Sequence, residues 1–296
     1  LKHKTDSNVV RVDEVVALAS GKGIDVGRVL KTLGYDNYVV NNIVGGDVGE
    51  LIINNLKKED INCSNFKINQ DSRINYALVD EVKDDFLMIN ENGPRITDSE
   101  KEEYFSFLES WLEEEAVFVL AGSAVRGFNK KDIRKILKMA AAKKMKLVVD
   151  ISKIFLKAAL EEKLDLLKIN EKEFKEGYKT KYNYSFADKE DYIRVLKAEK
   201  MSKAIITFGE EGALYYSKDE IYWGTHTKTF SNYAIGSGDS FLAGYIFANV
   251  SNWPEIDCFR LALACGVANT RIYGAGKLKL EHINQIKDNY IEIRSW

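Results

Sequence analysis

Gly236-Ser237-Gly238-Asp239-Ser240-Phe241-Leu242-Ala243-Gly244-Tyr245-Ile246-Phe247-Ala248 sets three small residues before an acid, and the acid before an apolar run that reads as a buried helix. Small residues let several backbone N–H groups converge on one point, and a helix N-terminus adds roughly half a positive charge there. Such a turn binds phosphate. A carboxylate in its middle is electrostatically odd unless it has work to do, and the obvious work is taking a proton from a hydroxyl that attacks phosphorus. Read more plainly, the same residues are an ordinary loop with an Asp N-cap.

A second Gly-rich segment lies far upstream. Ser20-Gly21-Lys22-Gly23-Ile24-Asp25-Val26-Gly27-Arg28-Val29-Leu30-Lys31-Thr32-Leu33-Gly34 is a loop followed by a helix closed by Gly34. Its lysine suits a second anion; without one it is a tight turn before a helix. Between the two segments, apolar runs at Tyr38 to Val44, Ala116 to Leu120, Lys146 to Asp150, Leu166 to Ile169 and Ala204 to Phe208 alternate with helical stretches. Those stretches are Gly49 to Lys58, Ser99 to Leu112, Lys130 to Lys143, Ile154 to Glu162 and Lys189 to Lys200. The alternation predicts an α/β fold: a doubly wound, mainly parallel sheet covered by helices on both faces. Ligands then bind beyond the strand C-termini, where Gly45-Gly46, Gly122-Ser123, Asn170 and Gly209 fall. Asn65 to Asn90 breaks the pattern and reads as two or three antiparallel strands, with Asn8 to Val16 as another. Gly212 to Ser217 and Glu220 to Thr225 suggest a hairpin around Ser217-Lys218-Asp219.

Composition narrows the function classes. Hydrophobic residues make up 45% and charged residues 30% of 296 positions, a soluble globular balance with ample core. A net charge of −2 supplies no electrostatic case for nucleic acid or an anionic membrane, and Lys57-Lys58 and Lys143-Lys144 read as solvated helix faces. Cys63, Cys258 and Cys265 form no framework and suit a reducing cytoplasm. No apolar run is long enough to span a bilayer, and no charged-then-apolar leader opens the chain. His3, His226 and His282 show no metal or triad spacing.

Together the motifs resemble the ribokinase-like (PfkB) family of carbohydrate kinases, closest to its 1-phosphofructokinase and tagatose-6-phosphate kinase branch. Gly21-Lys22-Gly23-Ile24-Asp25-Val26 is similar to G-G-K-G-I-N-V, and Gly45-Gly46-Asp47-Val48-Gly49-Glu50 to G-G-x-x-G. Asp71-Ser72-Arg73-Ile74-Asn75 sits at T-R-x-N, Asn92-Gly93-Pro94 at N-x-x-G-P, and Gly122-Ser123 at G-S-L-P-x-G. Lys168-Ile169-Asn170-Glu171-Lys172-Glu173 is similar to K-P-N-x-x-E, and Thr207-Phe208-Gly209-Glu210-Glu211-Gly212 to T-x-G-x-x-G. The order of the blocks is the family's. Departures are Ser20 for Gly, Asp25 for Asn, and Ala124-Val125, Ile169 and Ala234 where prolines stand. A strand carrying N-P-x-x-D is expected before residue 1.

The resemblance implies ATP and Mg²⁺, and a chemistry that needs positioning, charge neutralisation and a base. Asp239 is the candidate base, with the amides of Gly236, Ser237 and Gly238 as an anion hole. Lys168 supplies a cation, and Asn170 and Glu173 hold Mg²⁺ through water. Gly21, Lys22, Gly23 and Asp25 line the sugar site, where Ser123 meets a sugar hydroxyl and Lys22, Arg73 and Arg11 meet a substrate phosphate. Thr207, Gly209 and Gly212 form the nucleotide loop, and Asn269 and Gly276 the adenine and ribose region. Residues 1–16 and 65–90 become a small β lid that mediates homodimerisation; 17–64 and 91–296 become the α/β domain. The expected reaction is ATP-dependent phosphorylation of a ketohexose phosphate of fructose-1-phosphate or tagatose-6-phosphate type. Alternatives are a kinase of an unphosphorylated sugar or nucleoside, and a non-catalytic sugar- or nucleotide-binding relative.

Overall fold

Apolar runs too short for helices become strands here, and helices cover both faces of the main sheet that most of them form; the run ending at Val44 was expected in that sheet but stands apart in a two-stranded parallel sheet. The structure, a computed structural model, describes residues 12, 14–80, 82, 84–151, 153–178, 181–182, 184–227 and 233–296. In chain order the elements are α1 (Lys22–Thr32), β1 (Val40–Gly45), α2 (Gly46–Lys58), β2 (Cys63–Ile68), β3 (Asn75–Asp80), β4 (Asp85–Asn90), α3 (Asp98–Glu109) and β5 (Val117–Ala121). Then follow α4 (Lys130–Ala142), β6 (Lys146–Asp150), α5 (Lys153–Ala159), β7 (Leu166–Asn170), α6 (Glu171–Tyr178), α7 (Lys189–Ala198) and β8 (Lys203–Thr207). The chain ends with β9 (Ala213–Ser217), β10 (Ile221–His226), α8 (Ser237–Val250), α9 (Glu255–Ala268), α10 (Leu280–Asn289) and β11 (Ile291–Ser295).

The main sheet has seven strands in the order β11-β10-β9-β8-β7-β6-β5. β5 to β8 pair in parallel, while β8–β9, β9–β10 and β10–β11 pair antiparallel. The period of two along each strand divides the core. Leu147 and Val149 join one apolar cluster and Val148 the other; Ala204 and Ile206 part from Ile205 in the same way. The first cluster is completed by Phe105, Leu137, Leu156, Phe174 and Leu196 of α3 to α7. The second takes Val29, Leu242, Phe259 and Ile283 of α1, α8, α9 and α10. Truncating one of these fully buried side chains costs about 2–5 kcal/mol. Sequence signals set the starts of α3 and α4, which open on reciprocal capping boxes at Thr97–Glu100 and Asn129–Asp132.

The hairpin β9–β10 forms where the turn residues predict it. Three features differ from expectation. β2, read as part of an antiparallel lid, instead pairs in parallel with β1, since Phe66 packs on Tyr104 and Phe107 of α3. β3 and β4 alone form the antiparallel ribbon, with Tyr76 opposite Ile89 and Leu78 opposite Leu87. β11 adds an edge strand where no strand was read. Of Asn8 to Val16, most lies outside the described residues, and 12 and 14–16 carry no strand. Lys57, Lys58, Lys143 and Lys144 are exposed, as solvated faces should be. Among the described residues no helix is long and apolar enough to cross a membrane.

The Gly45-Gly46 junction brings the next motif in close. The Ser72 N–H donates to the Gly45 carbonyl at 2.8 Å, and the Gly45 N–H donates to Ser72 Oγ at 3.0 Å. A Cβ at Gly45 would lie 2.1 Å from the Gln70 carbonyl oxygen, so only glycine lets the loop before Arg73 cross here.

Candidate active site

The turn before α8 is built by one hydrogen bond and one positive φ. The Ser237 N–H donates to the Ala234 carbonyl at 3.0 Å, and Gly236 at φ 86°, ψ −4° takes the third position of a type II turn. A Cβ there would fall 2.6 Å from Ala275 Cα. Gly236, not Asp239, is the N-cap of α8, and Asp239 sits in the first turn. The anion hole also shifts by one residue. Among the described residues the N–H groups of Gly236, Gly238 and Asp239 have no protein acceptor, whereas that of Ser237 is spent in the turn. Three free amides at a helix N-terminus remain available to an anion.

Charge gathers beneath that turn. Asp150, at the end of β6 and 0% exposed, bridges two ammonium groups: Lys22 Nζ at 2.5 Å from Oδ1 and Lys168 Nζ at 2.8 Å from Oδ2. Lys168 reaches up from β7 until its Nζ would lie 2.7 Å from a Cβ on Gly238. Burial alone would raise the Asp150 carboxyl, but Lys168 and Lys22 win and hold it below the usual range. Burial works against the Lys22 ammonium, yet Asp150 raises its pKa overall. Asp239 is 8% exposed and, among the described residues, makes no ion pair; burial first, then the charges of Asp150 and Asp25, push its pKa up to about 7 against the opposing pull of Lys168 and Lys22. A carboxyl tuned to neutrality can accept a proton at physiological pH. With Asp239 protonated, the cluster of Lys22, Lys168 and Asp150 carries one net positive charge facing the free amides.

The loop expected to meet the acceptor leads into α1. Asp25 does not face outward as a sugar ligand. It is buried, accepts from Ser20 Oγ at 2.9 Å and from the Gly21 N–H at 3.3 Å, and pairs with Arg28 at 2.8 Å. Burial pushes its pKa up to about 6, with Arg28 as the strongest opposing influence. Gly122 lies beside the Lys22 side chain, its N–H donating to the Asp150 carbonyl at 2.9 Å, and Ser123 is exposed in the same loop. Gly23 lies within the first turn of α1, with Val40 beside it.

The remaining expected residues divide into those near this cluster and those held elsewhere. Asn170 and Glu173 form a reciprocal capping box for α6, Glu173 N–H to Asn170 Oδ1 at 2.9 Å and Asn170 N–H to Glu173 Oε2 at 3.2 Å. Glu173 nevertheless acts electrostatically on Lys22, so it borders the cluster. Among the described residues no three His, Cys, Asp or Glu side chains form a metal cage. Two oxygen donors at the rim fit an ion such as Mg²⁺, which keeps most of its water. Thr207 ends β8, Gly209 begins a short 3₁₀ turn, and Gly212 packs against the Gly224 carbonyl. Arg73 is exposed at the foot of β3, its side chain lying on Gly93, in no contact with Lys22 or Asp239. Arg11 lies outside the described residues.

Asn269, expected at the adenine, has no hydrogen-bonding capacity left for a ligand. It is 0% exposed; Nδ2 donates to the Ile235 carbonyl at 2.8 Å and Ser237 Oγ at 3.2 Å, while Oδ1 accepts from Gly276 N–H at 2.9 Å and Ser240 Oγ at 3.2 Å. It therefore pins the turn. Gly276 lies against the Asp25 backbone, between the turn and the loop before α1. Sequence reasoning missed Asp150 and Arg28. An Asp closing an otherwise apolar strand at the ligand-binding edge of a parallel sheet was the available signal for Asp150.

Residues 1–282 match the pfkB family of carbohydrate kinases. The chain is 30% identical over 250 residues to 1-phosphofructokinase of Bacillus subtilis, covering 84% of this chain and 80% of that protein. It superposes with a TM-score of 0.79 at 27% identity on a protein assigned as a phosphofructokinase in Staphylococcus aureus, covering 98% of this chain and 94% of the other. Phosphofructokinase-2 of Escherichia coli, solved with substrates and products, shares the fold at a TM-score of 0.88, 20% identity and 97% and 93% coverage. The chain belongs to the pfkB family of carbohydrate kinases, ATP-dependent enzymes that phosphorylate sugars.

Proposed function

We propose that this kinase transfers the γ-phosphoryl group of ATP to a hydroxyl of a ketohexose phosphate of the fructose-1-phosphate or tagatose-6-phosphate type, with Asp239 as general base. The observation that carries the reading is the buried, unpaired Asp239 carboxyl at about pKa 7 among the unpartnered amides of α8. Deprotonated Asp239 takes the proton of the acceptor hydroxyl as its oxygen bonds to the γ-phosphorus and the bond to the β-phosphate oxygen breaks. The amides of Gly236, Gly238 and Asp239, with the α8 dipole, stabilise charge on the transferring group, and Lys168 stands beside them. Mg²⁺, held through water by Asn170 and Glu173, would neutralise phosphate charge. Thr207 and Gly209 border the nucleotide, and Ser123 and the backbone of Gly21-Lys22-Gly23 border the acceptor.

Arg73 is the candidate for the acceptor's phosphate because its guanidinium is exposed near the lid foot. The inner face of the β3–β4 ribbon reaches toward the phosphate turn, Phe86 meeting Tyr233 at 5.8 Å. Its outer face carries Tyr76, Leu87 and Ile89 exposed, and a second copy covering that face would make the homodimer. Free cysteines at 63, 258 and 265 suit the cytoplasm. A neutral sugar is the second reading, favoured by one observation: Lys22 is already paired with Asp150. ADP release measured against sugars and sugar phosphates separates the two. Preference for a ketohexose phosphate by at least tenfold in kcat/KM supports the first; preference for the free sugar refutes it.

A further inference from the structure

Arg28 is buried on α1, and all five of its N–H groups are engaged. Nε donates to Glu59 Oε2 at 2.6 Å and Nη2 to Glu59 Oε1 at 3.2 Å; Nη2 also donates to the Ala19 carbonyl. Nη1 donates to Asp25 Oδ1 at 2.8 Å and to the Ala275 carbonyl at 3.0 Å. One guanidinium thus ties together the acceptor-side loop, the end of α2 and the turn at 274–276. That last turn abuts the phosphate site. A Cβ on Gly236 would fall 2.6 Å from Ala275 Cα, and one on Gly276 would fall 2.9 Å from the Asp25 carbonyl oxygen.

Ser20 and Asp25 are the two departures from the glycine–asparagine pattern of the acceptor-side block, and they are bonded to each other. Ser20 Oγ lies 2.9 Å from Asp25 Oδ2 and 3.2 Å from Oδ1. A buried carboxylate needs both a cation and neutral donors to be tolerated, and Arg28, Ser20 and the Gly21 amide supply them. Neither departure is explained alone. Together they make a closed hydrogen-bonded unit.

We propose that Ser20, Asp25 and Arg28 form one positioning unit that sets the acceptor-side loop at 19–23 against the phosphate turn at Gly236, so that Asp25 acts on the acceptor only through that loop. The inference rests on reading this site as the place of phosphoryl transfer. It assigns Asp25 and Ser20 a joint role, so that neither residue's contribution survives loss of the other.

A double-mutant cycle tests it on the full chain, with Ser20→Ala, Asp25→Asn and the double variant assayed for ADP release with a ketohexose phosphate. Ser20→Ala is expected to raise the acceptor KM about fivefold in the parent and less than twofold in the Asp25→Asn background, with the KM for ATP unchanged in each. Independent effects of the two substitutions, or equal effects on both substrates, overturn the proposal. Amide hydrogen exchange gives a readout that needs no substrate. Both single variants are expected to speed exchange at 19–23 and at 274–276 at least fivefold, while α4 is unaffected. Unchanged exchange at 274–276 overturns the proposal even if the parent turns over the acceptor; faster exchange there with no turnover of any ketohexose phosphate refutes the substrate reading and keeps the unit.

Discussion

Replacing Asp239 by Asn should weaken the enzyme and strengthen the protein, because the same burial that tunes the carboxyl also costs stability. In the fold its pKa rises from the usual 3.8 to about 7, chiefly through desolvation. The folded state then binds a proton that the unfolded chain has already released, so this group makes stability fall as pH rises from about 4 to about 7. Three pKa units correspond to at most ~4 kcal/mol. Asn removes that cost but leaves Lys22 and Lys168 facing Asp150 alone, which offsets part of the gain; a net stabilisation of about 1–3 kcal/mol at pH 8 is expected. For a chain of this size that is a rise in Tm of about 2–5 °C. The gain should shrink as pH falls and vanish below about pH 4, the range of ordinary unfolded carboxyls. Turnover should drop by about 10² to 10⁴, the scale of general-base catalysis. Thermal melts at pH 5 and 8, with single-turnover ADP formation, measure both arms. Equal Tm differences at the two pH values would show that the carboxyl is not desolvated as argued. Retention of more than about a tenth of the single-turnover rate would remove Asp239 from the base role.

In the parent enzyme, kcat/KM should rise with pH through about 7 as Asp239 loses its proton, with a flat profile in Asp239→Asn. Arg73→Ala should raise the KM for the acceptor, and not for ATP, by the roughly 10- to 150-fold that a bond to a charged group is worth; equal effects on both substrates refute the phosphate contact. Asp150→Asn leaves two ammonium groups facing one carboxylate fewer, so a loss of about 3–5 kcal/mol in chemical denaturation is expected, along with a shift of the acidic limb of the rate profile to lower pH. Gly238→Ala puts a methyl 2.7 Å from Lys168 Nζ. Because that ammonium ends a flexible chain, the fold should survive while turnover falls roughly tenfold, a loss of about 1.4 kcal/mol; unchanged turnover would mean that Lys168 needs no fixed place. Lysines at Leu87 and Ile89 should turn a dimer into a monomer in sedimentation experiments, and a chain monomeric from the start refutes the lid interface.

What the sequence determined by itself was local. Strands at Lys146–Asp150 and Leu166–Asn170 were legible because β-branched and aliphatic runs of that length are too short for helices and suit strands buried on both faces. The Gly236–Asp239 turn was legible because small residues before an apolar helix constrain the backbone whatever surrounds them. The order of the Gly-rich blocks carried the family for the same reason. Tertiary structure decided whatever depends on partners far apart in the chain. Lys22 meets Asp150 across 128 positions, and Arg28 meets the Ala275 carbonyl across 247. No local pattern encodes either contact. Nor could spacing show that the Ser237 amide is spent on Ala234, that Asn269 has exhausted its hydrogen bonds inside the protein, or that β2 pairs with β1. The pKa of Asp239 is of this second kind: residue type makes it an acid, but desolvation and the surrounding charges from α1, β6 and β7 make it an acid that titrates near neutrality.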